Sequence, residues 1–356
     1  NFTSATDNYN IGIGFQAGYA VSTGTANTFI GGRAGDATTT GSTNVAVGTD
    51  ALGSNTTASN NVAIGYDCLV ANTTGADNTA VGSGALGANT TASYNVAVGA
   101  GALDANTTGA QNNAFGNGAL GANTTAGDNT AMGSGALTTN TTGGNNTGIG
   151  RAALNANTTA DNNTAVGYYA MVANTTGGAN TAVGKGALAA NTSGDYNTAV
   201  GQGALDANTT ANSNTAVGLG ALGANTTGAD NTAVGESALT ANTTANFNTA
   251  VGKEAGDHIT TGTHNVCVGY NSGSNNANLT TGGDNVFLGN YASGSSTSAG
   301  GQIAIGYNVQ TIGDNTITVG RGANTASLGL DGSDTSWAAA SSDKRLKENI
   351  ETSTAG

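Results

Sequence analysis

The sequence contains no proline, two cysteines, one tryptophan and only eight lysines and arginines in 356 residues. Without Pro or a three-residue Gly period, a collagen-type helix is excluded despite the 59 Gly. Two cysteines give no disulfide framework. Three of the eight basic residues, Lys344, Arg345 and Lys347, crowd the far end of the chain. No cationic patch is left to displace counterions, so a nucleic-acid ligand is not expected. No apolar run approaches the ~18–20 residues of a membrane helix, and no membrane insertion is expected. Charged residues make up 8% of the chain, with a net charge of −13 and 5% aromatics. That is neither the charge density nor the proline content of a typical disordered chain. The absence of an initiator Met and of a basic leader makes Asn1 look like the edge of a fragment or of a processed chain.

What is present is Gly, Ala, Asn and Thr, in a repeat. Asn recurs every seventeen residues from Asn10 and Asn27 through Asn248 and Asn265. Numbering the repeat Asn as slot 1, slot 5 is Gly in every unit, from Gly14 to Gly269, and slot 4 is always apolar. Slot 9 holds Leu or Met in the middle repeats, as in Leu52, Leu86, Met171 and Leu239. Seventeen residues are too few for a helical hairpin repeat. Thr, Val and Gly oppose helix and permit strand. The pattern predicts an all-β chain: a parallel β-solenoid with one coil per repeat.

Slots 2–4 read as a short strand, Gly at slot 5 as a bend, Ala-Leu at slots 8–9 as a second extended piece, and Asn-Thr-Thr at slots 12–14 as a turn. Sixteen coils at ~4.8 Å would make a rod on the order of 75 Å long. Each coil is expected to give its core one Val-type residue, one Leu-type residue and two Ala. At ~1.5–3 kcal/mol per large side chain, that barely offsets the ordering entropy of seventeen residues. Chains are therefore expected to associate along their length, most naturally as a homotrimer.

The strand motif, as in Val62-Ala63-Ile64-Gly65 and Val45-Ala46-Val47-Gly48, resembles the head repeats of trimeric autotransporter adhesins. The resemblance covers roughly residues 10–320, with a longer unit here. It implies a left-handed β-roll with three chains to a head. Ser342-Asp343-Lys344-Arg345-Leu346-Lys347-Glu348-Asn349-Ile350 resembles the opening of the self-cleaving intramolecular chaperone domain of phage tail fibres and endosialidase tailspikes. That resemblance implies scission between Ser342 and Asp343, with Ser342 as nucleophile and Lys347 as its base. A buried amine of lowered pKa suits that role. Fourteen residues follow Ser342. The motif is thus expected to be a stub that does not cleave, and no enzymatic activity is expected of the chain.

Equivalent slots stack, so columns can be read. Slot 6 carries Arg151, Tyr168, Lys185 and Gln202 on successive coils, read either as ordinary decoration of an exposed slot, the preferred reading, or as a sugar-binding strip of two cations around a ring. Glu236 and Lys253 in the same column suggest an ion pair. In slot 7, Arg33, Asp50 and Asp67 form either a charge ladder or a calcium-type carboxylate pair, the ladder being preferred because Arg33 already neutralises one side. Asp77, Asp128 and Asp230 share a slot but lie too many coils apart for a glycosidase pair. His258 and His264 lack a third ligand, so no metal is expected, and no cofactor. Cys68 and Cys267 take slots otherwise held by Ala. The Asn-Thr-Thr turns match the glycosylation sequon but read better as an Asn and Thr ladder between neighbouring turns. Adjacent Thr on a strand point to opposite faces, which argues against an ice-binding rank.

The expected organisation is a regular solenoid over 1–269, irregular coils and loops over 270–329, a linker over 330–341 and the chaperone stub over 342–356. Tyr291, Tyr307 and Trp337, in the irregular part, are candidates for receptor contact, with capping of the solenoid as their alternative role. The whole reads as the extracellular tail fibre of a bacteriophage virion, a homotrimer attaching to a bacterial cell-surface glycan or protein receptor. The alternatives are a purely structural rod and the head of a trimeric adhesin on a bacterial surface.

Overall fold

The computed structural model describes residues 8–275, 277–330 and 338–339. Trp337, Ser342 and Lys347 lie outside the described residues. The fold is all-β, a parallel β-solenoid of about 18 turns with a repeat of about 17 residues. Two compact units are distinguished, residues 1–197 and 198–356. In the first, eleven three-residue strands run from β1 (Ile11–Ile13) to β11 (Thr181–Val183). Each pairs in parallel with its neighbour one repeat away, as in Thr79↔Val96, Ala80↔Ala97 and Val81↔Val98. The second unit continues the pattern from β12 (Thr198–Val200) through β16 (Val266–Val268), β17 (Val286–Leu288), β18 (Ile303–Tyr307) and β19 (Thr316–Arg321). It then changes direction: β20 (Asn324–Gly329) pairs antiparallel with β19, and β21 (Ala338–Ala339) antiparallel with β20.

The core is narrower than the composition implies. Ala at slots 3 and 8 and Leu or Met at slot 9 are fully buried, for example Ala80, Ala85 and Leu86. The apolar slot 4 points outward instead: Val183 is 37% exposed, Phe115 39% and Met132 44%. The expectation that the Val-type residue enters the core is therefore corrected. A three-residue strand has one inward position, its middle, and alternation sends both flanking side chains out. The inward position is almost always Ala where Leu or Met at slot 9 fills the space, and Phe29 and Phe287 take it where slot 9 is Gly35 or Ser293.

The second extended piece is also corrected. Slots 6–11 form consecutive tight turns, with Leu86 and its equivalents at φ near +52°. Ala85 N donates to Gly82 O at 3.3 Å, Gly87 N to Gly84 O at 3.1 Å, and Asn89 N to Leu86 O at 3.1 Å. These turns still bond coil to coil, Leu86 N reaching Ala102 O at 3.0 Å. Backbone groups are thus satisfied along the stacking direction even where no strand exists.

Two asparagine columns complete the interior, the slot-12 column running from Asn55 to Asn242. Slot-1 Asn112 lies on Asn95, its backbone N donating to Asn95 Oδ1 at 2.9 Å and its Nδ2 to Ala126 O at 2.9 Å. Slot-12 Asn106 donates through Nδ2 to Asn89 Oδ1 at 3.2 Å and to Gly109 O at 2.9 Å. Both columns are buried. An amide carries donors and an acceptor on one group, so a column of identical amides can satisfy itself.

Candidate receptor-binding surface

Gly at slot 5 follows the three-residue strands of β1 to β17 and throws slots 6 and 7 onto an exposed corner. Slot 7 sits in the left-handed region throughout, and seven coils fill it with Gly, as at Gly84, Gly118 and Gly186. Tyr169 and Tyr291 occupy it instead, at φ 56° and 60°. Non-Gly residues such as Gln16, Arg33 and Glu254 take the same left-handed conformation at this slot, so it is the repeat that sets the backbone there. Tyr169 and Tyr291 each lie in an aromatic and cationic cluster, one in each unit.

In the first unit, Arg151 and Tyr168 stand at slot 6 on successive coils, with Tyr169 beside the latter. The Tyr168 and Tyr169 ring centroids are 4.1 Å apart, and the Arg151 guanidinium carbon is 5.9 Å from one and 6.0 Å from the other. A hydrogen bond with Tyr169 is the main cause raising the Tyr168 phenol above its ordinary pKa. Next to the rings opens a concavity of about 480 Å³, lined by Tyr168, Tyr169, Val172, Lys185, Gly186 and Ala189. The three sequence candidates Arg151, Tyr168 and Lys185 therefore meet at one place. Tyr169, adjacent to a candidate, was hidden because slot 7 holds Gly, Ala, Ser, amide or charged residues on the other coils of the regular repeat and shows no aromatic pattern.

In the second unit, Tyr270, Tyr291 and Tyr307 come from three successive coils. Their rings meet edge to face, with centroids 5.1 Å apart for Tyr270–Tyr291 and 6.1 Å for Tyr291–Tyr307. Arg321 covers Tyr307 at 5.7 Å. A hydrogen bond with Tyr291, then the Glu254 carboxylate, raise the Tyr270 phenol. Asn290 Oδ1 accepts from Tyr270 N at 3.0 Å, and Asn275 Nδ2 donates to Tyr291 O at 3.3 Å. Tyr291 and Tyr307 were foreseen. Tyr270 and Arg321 were missed, although counting five residues beyond Asn265 and beyond Thr316 places both in slot 6.

The other candidates resolve into local pairings. Arg33 Nη2 meets Asp50 Oδ2 at 2.6 Å, and that bond raises the Arg33 pKa. A bond to Asp67 raises the Tyr66 phenol. The column therefore shows an Arg33–Asp50 ion pair with Asp67 bonded separately to Tyr66. Lys253 lies 3.3 Å from Glu236 and 3.9 Å from Glu254, all half exposed or nearly so, a geometry of little energetic weight. His258 pairs with Asp257 at 2.8 Å, whereas His264 stacks on Phe247 at 5.0 Å. The slot-12 sequon asparagines are fully buried and bonded, and the following Thr donates to the next coil, as Thr107 Oγ1 does to Thr124 O at 3.0 Å. An oligosaccharyltransferase could not reach these amides in the folded chain. Cys68 and Cys267 are buried free thiols, and burial pushes both up to about 12. Neither is a thiolate at neutral pH.

Compared with protein-family models, curated proteins and solved structures, the chain matches none.

Proposed function

We propose that this chain is the receptor-binding shaft segment of a trimeric phage tail fibre, attaching to a bacterial surface glycan. The observation that carries the attachment is the pair of Tyr and Arg clusters on the slot 6–7 corner of an otherwise charge-poor solenoid. Tyrosine faces and edges pack on the C–H faces of sugars while their hydroxyls and nearby cations take the polar groups. The tail-fibre assignment rests on the resemblance of Ser342–Ile350 to the chaperone opening, and the extracellular virion setting follows from it.

Self-association is supported by slot 4. In each unit every coil shows one outward apolar side chain, such as Ile64, Phe115 and Ile149 in the first and Val217, Val251 and Ile305 in the second. At ~50 Å² apiece, the eleven of the first unit expose on the order of 550 Å², the upper end of the apolar patch a monomer normally leaves bare. Phe115→Lys with Ile149→Lys is expected to convert a trimer to monomer in sedimentation, with the far-UV spectrum kept. A stable wild-type monomer at micromolar concentration would refute association.

Attachment is tested by binding of the labelled chain to a panel of bacterial cells and a glycan array. Tyr291→Ala with Tyr307→Ala is expected to weaken binding about tenfold or more, as loss of two stacking rings should. Binding that ignores these substitutions and Tyr168→Ala alike would remove the corner from the mechanism. Absence of binding to every cell would leave a structural rod.

A further inference from the structure

The first-unit cluster differs chemically from the second. The described residues contain five cations: Arg33, Arg151, Lys185, Lys253 and Arg321. Arg33 is paired with Asp50, and Lys253 with Glu236 and Glu254. Arg321 lies over Tyr307 in the other unit. Arg151 and Lys185 have no carboxylate within ion-pair distance among the described residues, and they flank the same pair of tyrosines. In a chain of net charge −13, two exposed cations without acid partners stand beside the same tyrosine pair and are free to meet an anion from solution.

We infer that the concavity at Tyr168, Tyr169 and Lys185, together with Arg151 on the other side of the rings, binds an acidic oligosaccharide, a glycan whose sugars carry carboxylates. Arg151 and Lys185 are two coils apart, hence ~10 Å along the stack by strand spacing. That separation suits carboxylates on neighbouring sugars rather than two oxygens of one group. The Arg151 guanidinium, about 6 Å from both ring centroids, offers the planar fork that pairs with a carboxylate. Lys185 borders the cavity with its aliphatic stem, and its ammonium supplies a point charge at the exposed rim. Between them the Tyr168 and Tyr169 rings, with Val172 and Ala189, make an apolar floor for the ring faces, in a volume of about 480 Å³. That size falls within the range of small-ligand sites. Gly186 keeps the rim open, since a Cβ there would meet no atom within 4 Å.

This inference rests on the glycan-attachment reading, and its test separates the two. The full-length chain is titrated calorimetrically with trigalacturonate and with the same trisaccharide methyl-esterified, which keeps the sugar rings and loses the charge. The acid is expected to bind at least tenfold more tightly than the ester, with an affinity that falls as salt is raised. Arg151→Gln and Lys185→Gln should each weaken the acid about five- to tenfold and leave the ester unchanged. Tyr168→Ala should weaken both. Unchanged thermal melting would show that these exposed substitutions leave the fold intact. Equal affinity for acid and ester, no binding of the acid, or indifference to both cation substitutions would overturn the inference. If Tyr291-dependent cell binding persists in that case, acid recognition alone falls. If cell binding is also absent, the attachment reading falls with it.

Discussion

Gly116→Ala is expected to cost about 4 kcal/mol or more, a large effect for the addition of one methyl group. Gly116 holds φ at +135°, outside the range in which an L-residue is comfortable. Its Cβ would also stand 2.6 Å from the carbonyl carbon and oxygen of Gly133 and 2.9 Å from Ser134 N. Those are backbone atoms of the next coil and cannot rotate aside, so the two coils must part and lose ladder bonds. Gly118, two residues on, is the control: its φ is +64°, and a Cβ there would meet nothing within 4 Å. Ala152 already tolerates the equivalent slot at φ 56°, so Gly118→Ala should cost only about 1 kcal/mol. Urea unfolding followed by circular dichroism separates the two variants. Because each coil contacts only its neighbours, the Gly116 variant should also split the transition, one side of the fault melting earlier. Equal midpoints for the two variants would disprove this account of slot 5.

The second large effect is expected at slot 1. Asn112 Oδ1 accepts from Asn129 N at 3.1 Å, and Asn112 Nδ2 donates to Ala126 O at 2.9 Å. Asn112→Ala strands both backbone groups in a buried site, at ~1–3 kcal/mol each, so a loss of about 3–5 kcal/mol is expected. Asn112→Asp should be worse at neutral pH, because an ionised carboxylate has no donor for Ala126 O and is taken out of water. Burial raises the folded pKa of that Asp, so the folded state binds its proton more readily than the unfolded state. Its stability deficit relative to the Ala variant should therefore shrink as pH falls toward ~4 and grow as pH rises to 7. Paired urea titrations at the two pH values measure the change. A gap independent of pH would show that the site is wet.

The seventeen-residue period, the strand at slots 2–4, the buried Leu at slot 9 and the bend at slot 5 were all legible in the sequence. Each follows from a residue type with one dominant use, such as Gly where backbones approach. What was not legible was direction. In a three-residue strand, Thr79-Ala80-Val81, hydrophobicity ranks Val81 as the core residue, yet it is the middle Ala80 that faces in. Similarly, Asn78 looks like a surface residue until its partners one coil away are known. Burial of an amide is affordable only because every neighbouring coil repeats it. At the candidate site, Tyr291 and Tyr307 stood out amid irregular loops, and Arg151, Tyr168 and Lys185 stood out in a column. Tyr169 and Tyr270 did not, since their importance comes from the rings and cations placed beside them.

The register between β16 and β17 also bears on how such chains change over generations. Twenty residues separate Asn265 from Asn285 rather than seventeen, yet Val266 still faces Val286 and Asn285 Nδ2 still reaches Asn265 Oδ1 at 2.9 Å. The three surplus residues are accommodated between the strands, and the amide column is not interrupted. Recombination between near-identical repeats would add or remove whole coils, altering length in increments of ~4.8 Å. Smaller insertions would be shunted to the corners, where side chains face solvent. The stacking rule thus partitions heritable variation: multiples of seventeen adjust reach, and everything else is available for diversifying the binding surface.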